Sequence, residues 1–234
     1  MQKEKHPFLE KHPLKKSYKL LIIGTIPPAI GNRKFKVEYY YGNVSSFWNL
    51  LKEVYPDSSF SKIEDIQKWQ EQYNIGITDT ITECYRKENT SRDSDLVVEW
   101  KDLNHKLKDY VLQNQNIIEK LIFTSGENCN NALSNFKIIM AEDYSIIADK
   151  VIKDLPSPSG GSNTSNFNNS DETLGLKLDF YNYVVNKSAK DIEYITRQWK
   201  VKKKKEKGIK VQRIPKGLLK KFKIYKYREI FIGK

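Results

Sequence analysis

Residues 20–50 read LLIIGTIPPAIGNRKFKVEYYYGNVSSFWNL, and three changes of character within them set the architecture. Leu20-Leu21-Ile22-Ile23 is a short apolar run rich in β-branched residues, the signature of a buried strand. Gly24-Thr25-Ile26-Pro27-Pro28 ends it in a rigid loop: glycine lets other groups approach the backbone, while the prolines fix φ and remove donors. Tyr39, Tyr40 and Tyr41 follow a polar stretch. Then comes Gly42-Asn43-Val44-Ser45-Ser46-Phe47-Trp48, where Ser45 or Ser46 caps a helix continued by Trp48, Leu51 and Val54. A strand emptying into a rigid loop, an aromatic cluster and a helix N-terminus suits a flat, polar ligand.

Downstream, strand and helix signals alternate. Ser61-Lys62-Ile63-Glu64 reads as a capping box, and Ile63, Ile66, Trp69 and Tyr73 continue it at helical spacing. Residues 74–81 read as a strand carrying one acid, Asp79, which either hydrogen-bonds nearby backbone amides or serves the pocket. Residues 84–95 are a polar, mixed-charge loop by composition. Leu103, Leu107, Tyr110 and Val111 mark a helix, and residues 117–123 a buried strand ending in Thr124-Ser125-Gly126. A further helix spans 128–136, a strand 151–155, and a last core helix 174–185, beyond the loop that opens with Pro156-Ser157-Pro158-Ser159-Gly160-Gly161.

This alternation predicts an α/β fold, a three-layer α/β/α core around a mostly parallel four-stranded sheet. Ligand sites in such folds lie beyond the carboxyl ends of the strands, where Gly24 to Pro28, Asp79, Thr124 to Gly126 and Pro156 to Gly161 converge. The core takes residues 1–190 and a basic, β-rich extension takes 191–234. In that extension residues 209–214 and 222–227 alternate apolar with basic or polar side chains, which reads as two strands.

Charge is distributed unevenly. The 234-residue chain carries a net +12, yet residues 197–234 hold 16 Lys and Arg against two acids, so the first 196 residues sum to −2. A concentrated basic segment is the usual footprint of a phosphate-backbone partner. A solvated charge run is the plainer reading. Residues 1–18, with His6-Pro7 and His12-Pro13, read as an extended arm, their histidines more plausibly structural than ligating. No apolar run approaches a membrane span, and Met1 to His6 has no signal-peptide core. The expectation is a cytoplasmic monomer, nucleoid-associated if the chain is bacterial. Cys84 and Cys129 lack metal spacing and read as reduced, mostly buried thiols.

A strand ending in Gly24-Thr25-Ile26-Pro27-Pro28, an aromatic segment closing on Phe47-Trp48, and Leu155-Pro156-Ser157-Pro158-Ser159 downstream resemble, in that order, the uracil-DNA glycosylase superfamily. The likeness is nearest to its single-strand-selective, mismatch-specific and hypoxanthine-type branches. The resemblance implies a monofunctional DNA N-glycosylase that reads a flipped-out uracil, hypoxanthine or mismatched base and needs no cofactor or metal. It places Gly24, Thr25, Ile26, Pro27 and Phe47 at the base pocket with Tyr39, Tyr40 or Tyr41 as its platform, Tyr41 foremost, and the strand-end position adds Ser125. The phosphate grip falls to Ser157, Pro158, Ser159 and Gly160, and Lys202, Lys203, Lys204 and Lys205 add basic contacts to DNA.

The family's water-handling positions hold other residues here: Ile26 and Ser45 stand where its branches carry asparagine, and Leu155 where the classical branch carries histidine. Asp79, Asn43 and Ser45 are therefore the candidates for positioning water, Asp79 as the acid able to activate it. The competing expectation is a glycosylase-fold protein that binds DNA or an altered base without cutting. A small-molecule nucleotide enzyme is disfavoured by the lack of a phosphate-binding glycine fingerprint.

Overall fold

The computed structural model describes residues 3–15, 17–43, 46–88, 90–153, 155–156, 158, 183, 202–204, 208–210 and 216–233. The chain divides into two compact units, Met1–Leu155 and Pro156–Lys234. The boundary at residue 190 follows composition; this division follows packing.

The first unit is mixed α/β. Its strands are β1 (Glu4–Lys5), β2 (Leu20–Gly24), β3 (Ile75–Asp79), β4 (Glu83–Arg86), β5 (Leu96–Val97), β6 (Lys120–Phe123) and β7 (Val151–Ile152). Its helices are α1 (Ser46–Val54), α2 (Ile63–Tyr73), α3 (Lys106–Gln113) and α4 (Ala132–Met140). Four strands form a fully parallel sheet in the order β3-β2-β6-β7. β2 lies between two neighbours, which is why Leu21, Ile22 and Ile23 are all inaccessible to solvent and why the run is continuously apolar. Leu21, Ile23, Leu121 and Phe123 pack with Leu107 and Val111 of α3 and with Leu133, Phe136 and Met140 of α4.

The chain leaves β2 toward β3 on one side and continues from β6 to β7 on the other. The connection reverses between β2 and β6, a switch point whose crevice opens at their carboxyl ends. A smaller antiparallel sheet, β1-β4-β5, brings the N-terminal arm alongside.

Several expectations need correction. Residues 84–86, read as loop, fall in β4, where Cys84 and Arg86 are buried while Glu83 and Tyr85 are half-buried. The capping box is not made: Ser61 turns its hydroxyl to Asp65, and α2 starts from Lys62 with no side-chain cap. The arm is not simply extended: residues 7–12 turn, the His12 N–H donating to the Phe8 carbonyl at 2.7 Å, and His6 and Phe8 are buried. Cys84 is buried as expected, but Cys129 is exposed.

In the second unit, β8 (Lys202–Lys204) and β9 (Gly208–Lys210) form an antiparallel pair, and α5 (Lys216–Ile232) follows. Residues 222–227, expected to be a strand, are therefore helical. Lys223, Tyr227 and Ile230 are buried at spacings of four and three, a helical stripe that a six-residue window misses. The candidate residues Ser45, Ser157, Ser159, Gly160 and Lys205 lie outside the described residues, as does the expected helix at 174–185 apart from Tyr183. Among the described residues no helix is long and apolar enough to cross a membrane.

Phe136 is fully buried between α4 and the sheet. Phe136→Ala is expected to cost about 3–5 kcal/mol of stability, read as a lowered urea midpoint with an unchanged denaturant slope.

Candidate functional site

The carboxyl ends of β2, β3 and β6 carry Gly24-Thr25, Asp79 and Thr124-Ser125. Parallel pairing sets Gly24 beside Asp79. Gly24 is required here by space: a Cβ would lie 2.5 Å from the Tyr41 hydroxyl and closer still to Asp79 Oδ1. Tyr41 holds a left-handed backbone, φ 55°, a conformation disfavoured for a bulky side chain and commonest at functional sites. Its hydroxyl lies 3.4 Å from Thr124 Oγ1, and its ring lies 4.3 Å from that of Phe47 at 33°.

Asp79 is buried and tied to the arm. His6 Nε2 lies 2.8 Å from Asp79 Oδ2. His6 Nδ1 accepts the backbone N–H groups of Phe8 and Leu9, both at 3.0 Å. Two donors converging on Nδ1 require a lone pair there, so the ring proton sits on Nε2 and is donated to Asp79. Asn104 Nδ2 donates to the Asp79 carbonyl at 2.9 Å. Oδ2 is thereby anchored, while Oδ1 faces Gly24 and Tyr41. The Asp79 charge and burial together push the neighbouring Tyr40 phenol well above its ordinary range, burial contributing more.

The rim beside this group is also polar. Thr25 Oγ1 donates to Asp93 Oδ2 at 3.2 Å and lies 3.1 Å from Ser125 Oγ. Ser125 Oγ in turn accepts the N–H of Ala132 at the start of α4, at 2.7 Å. Burial pushes the Asp93 carboxyl up to about 6; the Asp79 charge adds to the effect, while hydrogen bonds from Thr25 and Ser125 and the Arg86 charge oppose it. Arg86 also donates to the Pro27 carbonyl at 2.8 Å and, with Arg33, meets Glu4 of the arm, so the proline loop is clamped from behind.

Of the sequence candidates, Gly24, Thr25, Asp79, Tyr41, Phe47 and Ser125 come together here. Pro27 is buried beside them under the Arg86 clamp. Ile26 instead packs against the Ile81, Cys84, Leu96, Leu103 and Ile139 core. Asn43 does not turn its amide to the cluster: it accepts from the Lys34 N–H and donates to the Asn32 carbonyl, closing its own loop. Tyr39 and Tyr40 are core residues bonded to Gln70 and the His12 carbonyl. Pro158 is buried in the second unit, and Lys202, Lys203 and Lys204 are described as strand backbone.

Sequence reasoning missed His6 and Asp93. The His-Pro pair ahead of the strand was the available signal for the first. Asp93 had only its place in a polar loop.

A cleft of about 690 Å³ opens between the arm and residues 101–110, lined among others by Lys5, Leu9, Leu103, Lys106 and Tyr110. It is lined by His6 and Asn104, which hold Asp79, and by Thr78, but by none of Gly24, Thr25 or Tyr41. Among the described residues no group of three or more His, Cys, Asp or Glu is arranged to hold a metal ion. No family model, curated protein or solved structure matches the chain.

Gly24→Ala tests the closeness of this cluster directly. Overpacking against an anchored carboxylate is expected to cost about 1–3 kcal/mol, measured by urea unfolding. Gly126→Ala, where a Cβ meets nothing within 4 Å, is expected to leave the midpoint unchanged.

Proposed function

We propose that the chain is a monofunctional DNA N-glycosylase that accepts a flipped-out altered base and hydrolyses its bond to the sugar. The observation that carries this reading is the division of labour within Asp79: Oδ2 is held by His6, and Oδ1 is turned toward Gly24 and the Tyr41 hydroxyl. A glycosylase must hold a flat base, bring water to C1′ and stabilise a developing cationic sugar. Tyr41 over Phe47 supplies a ring face, and the missing Cβ of Gly24 lets Asp79 Oδ1 and the Tyr41 hydroxyl come together at the strand end. Asp79 Oδ1 orients and deprotonates the water, and its charge stabilises the oxocarbenium-like transition state. His6 acts through Asp79, fixing its rotamer.

The same reading takes helices to cover both sheet faces as a third layer, and the basic segment from residue 197 to contact the DNA backbone as the protein works as a monomer on the nucleoid or in the cytoplasm. One observation favours a second reading, a DNA- or base-binding protein that does not cut: the Asn43 amide is committed to its own loop and gives Asp79 no help in managing water.

Base release from oligonucleotides carrying uracil, hypoxanthine, xanthine or mismatched thymine separates the two. Wild type is expected to release at least one base, Asp79→Asn to lose about 100-fold or more, and His6→Gln to lose less than Asp79→Asn. Salt-dependent DNA binding with no base released from any oligonucleotide contradicts the enzyme reading and favours the binding protein.

A further inference from the structure

Asp93 lies on the turn Asp93–Asp95 between β4 and β5, and that turn is fixed over the strand ends. Asn130 Nδ2 donates to the carbonyls of Asp93 and Leu96 at 3.3 and 2.8 Å, and the Lys87 N–H donates to the Asp95 carbonyl at 2.8 Å. Donor accounting orients the polar chain beneath it. The Ala132 N–H can only donate, so Ser125 Oγ accepts it. The Thr25 hydroxyl donates to Asp93 Oδ2. Ser125 also hydrogen-bonds this carboxyl. The charged groups facing Asp93 are Arg86 from β4 and Asp79 from β3. Two carboxyl groups thus face one strand-end crevice, one anchored by a histidine and one embedded among hydroxyls.

We propose that Asp93 is the proton donor to the departing base, so that the two carboxyl groups divide acid and base work across the site. This rests on the reading of the site as a base-excision centre. In the step, the water oxygen bonds to C1′ as the C1′–N bond breaks, and the bonding pair goes to the base. The Asp93 carboxyl proton passes to a ring nitrogen or carbonyl oxygen of the base, and a water proton passes to Asp79 Oδ1. The base leaves neutral, the abasic sugar carries the new hydroxyl, and exchange with solvent returns both carboxyls to their starting states. Paired carboxyls whose surroundings differ are the general pattern for such assignments. A group with its midpoint raised to about 6 is suited to donate near neutral pH.

The test is single-turnover release by the full chain from uracil, 5-fluorouracil and hypoxanthine oligonucleotides across a range of pH. The acid form is the active one, so the wild-type rate falls as pH rises through about 6. Asp93→Asn is expected to lose about 100-fold together with that acid limb, and Asp93→Glu to recover part of both. If uracil is released, the Asp93→Asn loss shrinks for 5-fluorouracil, a better leaving group, whereas the Asp79→Asn loss does not.

Folding is a separate readout. The raised midpoint means the half-buried carboxylate opposes folding increasingly as pH rises from its ordinary 3.8 to about 6. Asp93→Asn is therefore expected to be no less stable than wild type above that window. An active, folded Asp93→Asn with the wild-type rate and pH limb overturns this proposal and leaves the excision reading intact. A wild type that releases nothing overturns both.

Discussion

His6 reaches across 73 positions of sequence to place Nε2 2.8 Å from Asp79 Oδ2 in a buried setting, and much of the first unit is arranged around that contact. It sets the arm against the end of β3. The two backbone donors on Nδ1 leave the ring one direction in which to donate. Burying a carboxylate is unfavourable unless its oxygens are engaged, and here one oxygen is engaged while the other is left to the site. The contact is therefore both a tether for the N-terminus and the device that aims Oδ1.

Other constraints converge on the same point. The parallel register sets Gly24 opposite Asp79, and the order of connections reverses between the parallel neighbours β2 and β6, at whose carboxyl ends Thr25 meets Ser125. The Glu4–Arg33–Arg86 cluster fixes the proline loop from behind. Tyr41 is held in an unfavourable backbone conformation by the surrounding packing, which places its hydroxyl over the glycine. Backbone topology supplies the positions, and a few buried polar contacts set the directions.

Much of this arrangement is legible in the amino-acid sequence. Continuous apolar runs at 20–23 and 121–123 identify the central strands, and the glycine, threonines and serine that follow them mark the crevice. Contacts that join distant segments are not legible in the same way. Asp93 lies in a polar loop whose composition gives no hint that burial and Thr25 will capture its carboxyl. Asn43 has the chemistry of a site residue, but an asparagine beside a turn readily bonds nearby backbone instead, as it does here with Lys34 and Asn32. The α5 segment misleads for a different reason. Residues 222–227 alternate over six positions, while the helical stripe through Lys223, Tyr227 and Ile230 includes a lysine and needs a longer window.

Which nitrogen of His6 carries the proton decides whether the ring can aim Asp79, and nitrogen-detected NMR of a histidine-labelled chain measures it. The prediction is a single tautomer, protonated at Nε2 and accepting at Nδ1, that loses its fixed character when Asp79 is changed to Asn. A ring protonated at Nδ1, or one averaging between tautomers as an exposed histidine does, contradicts the claim that His6 aims Asp79.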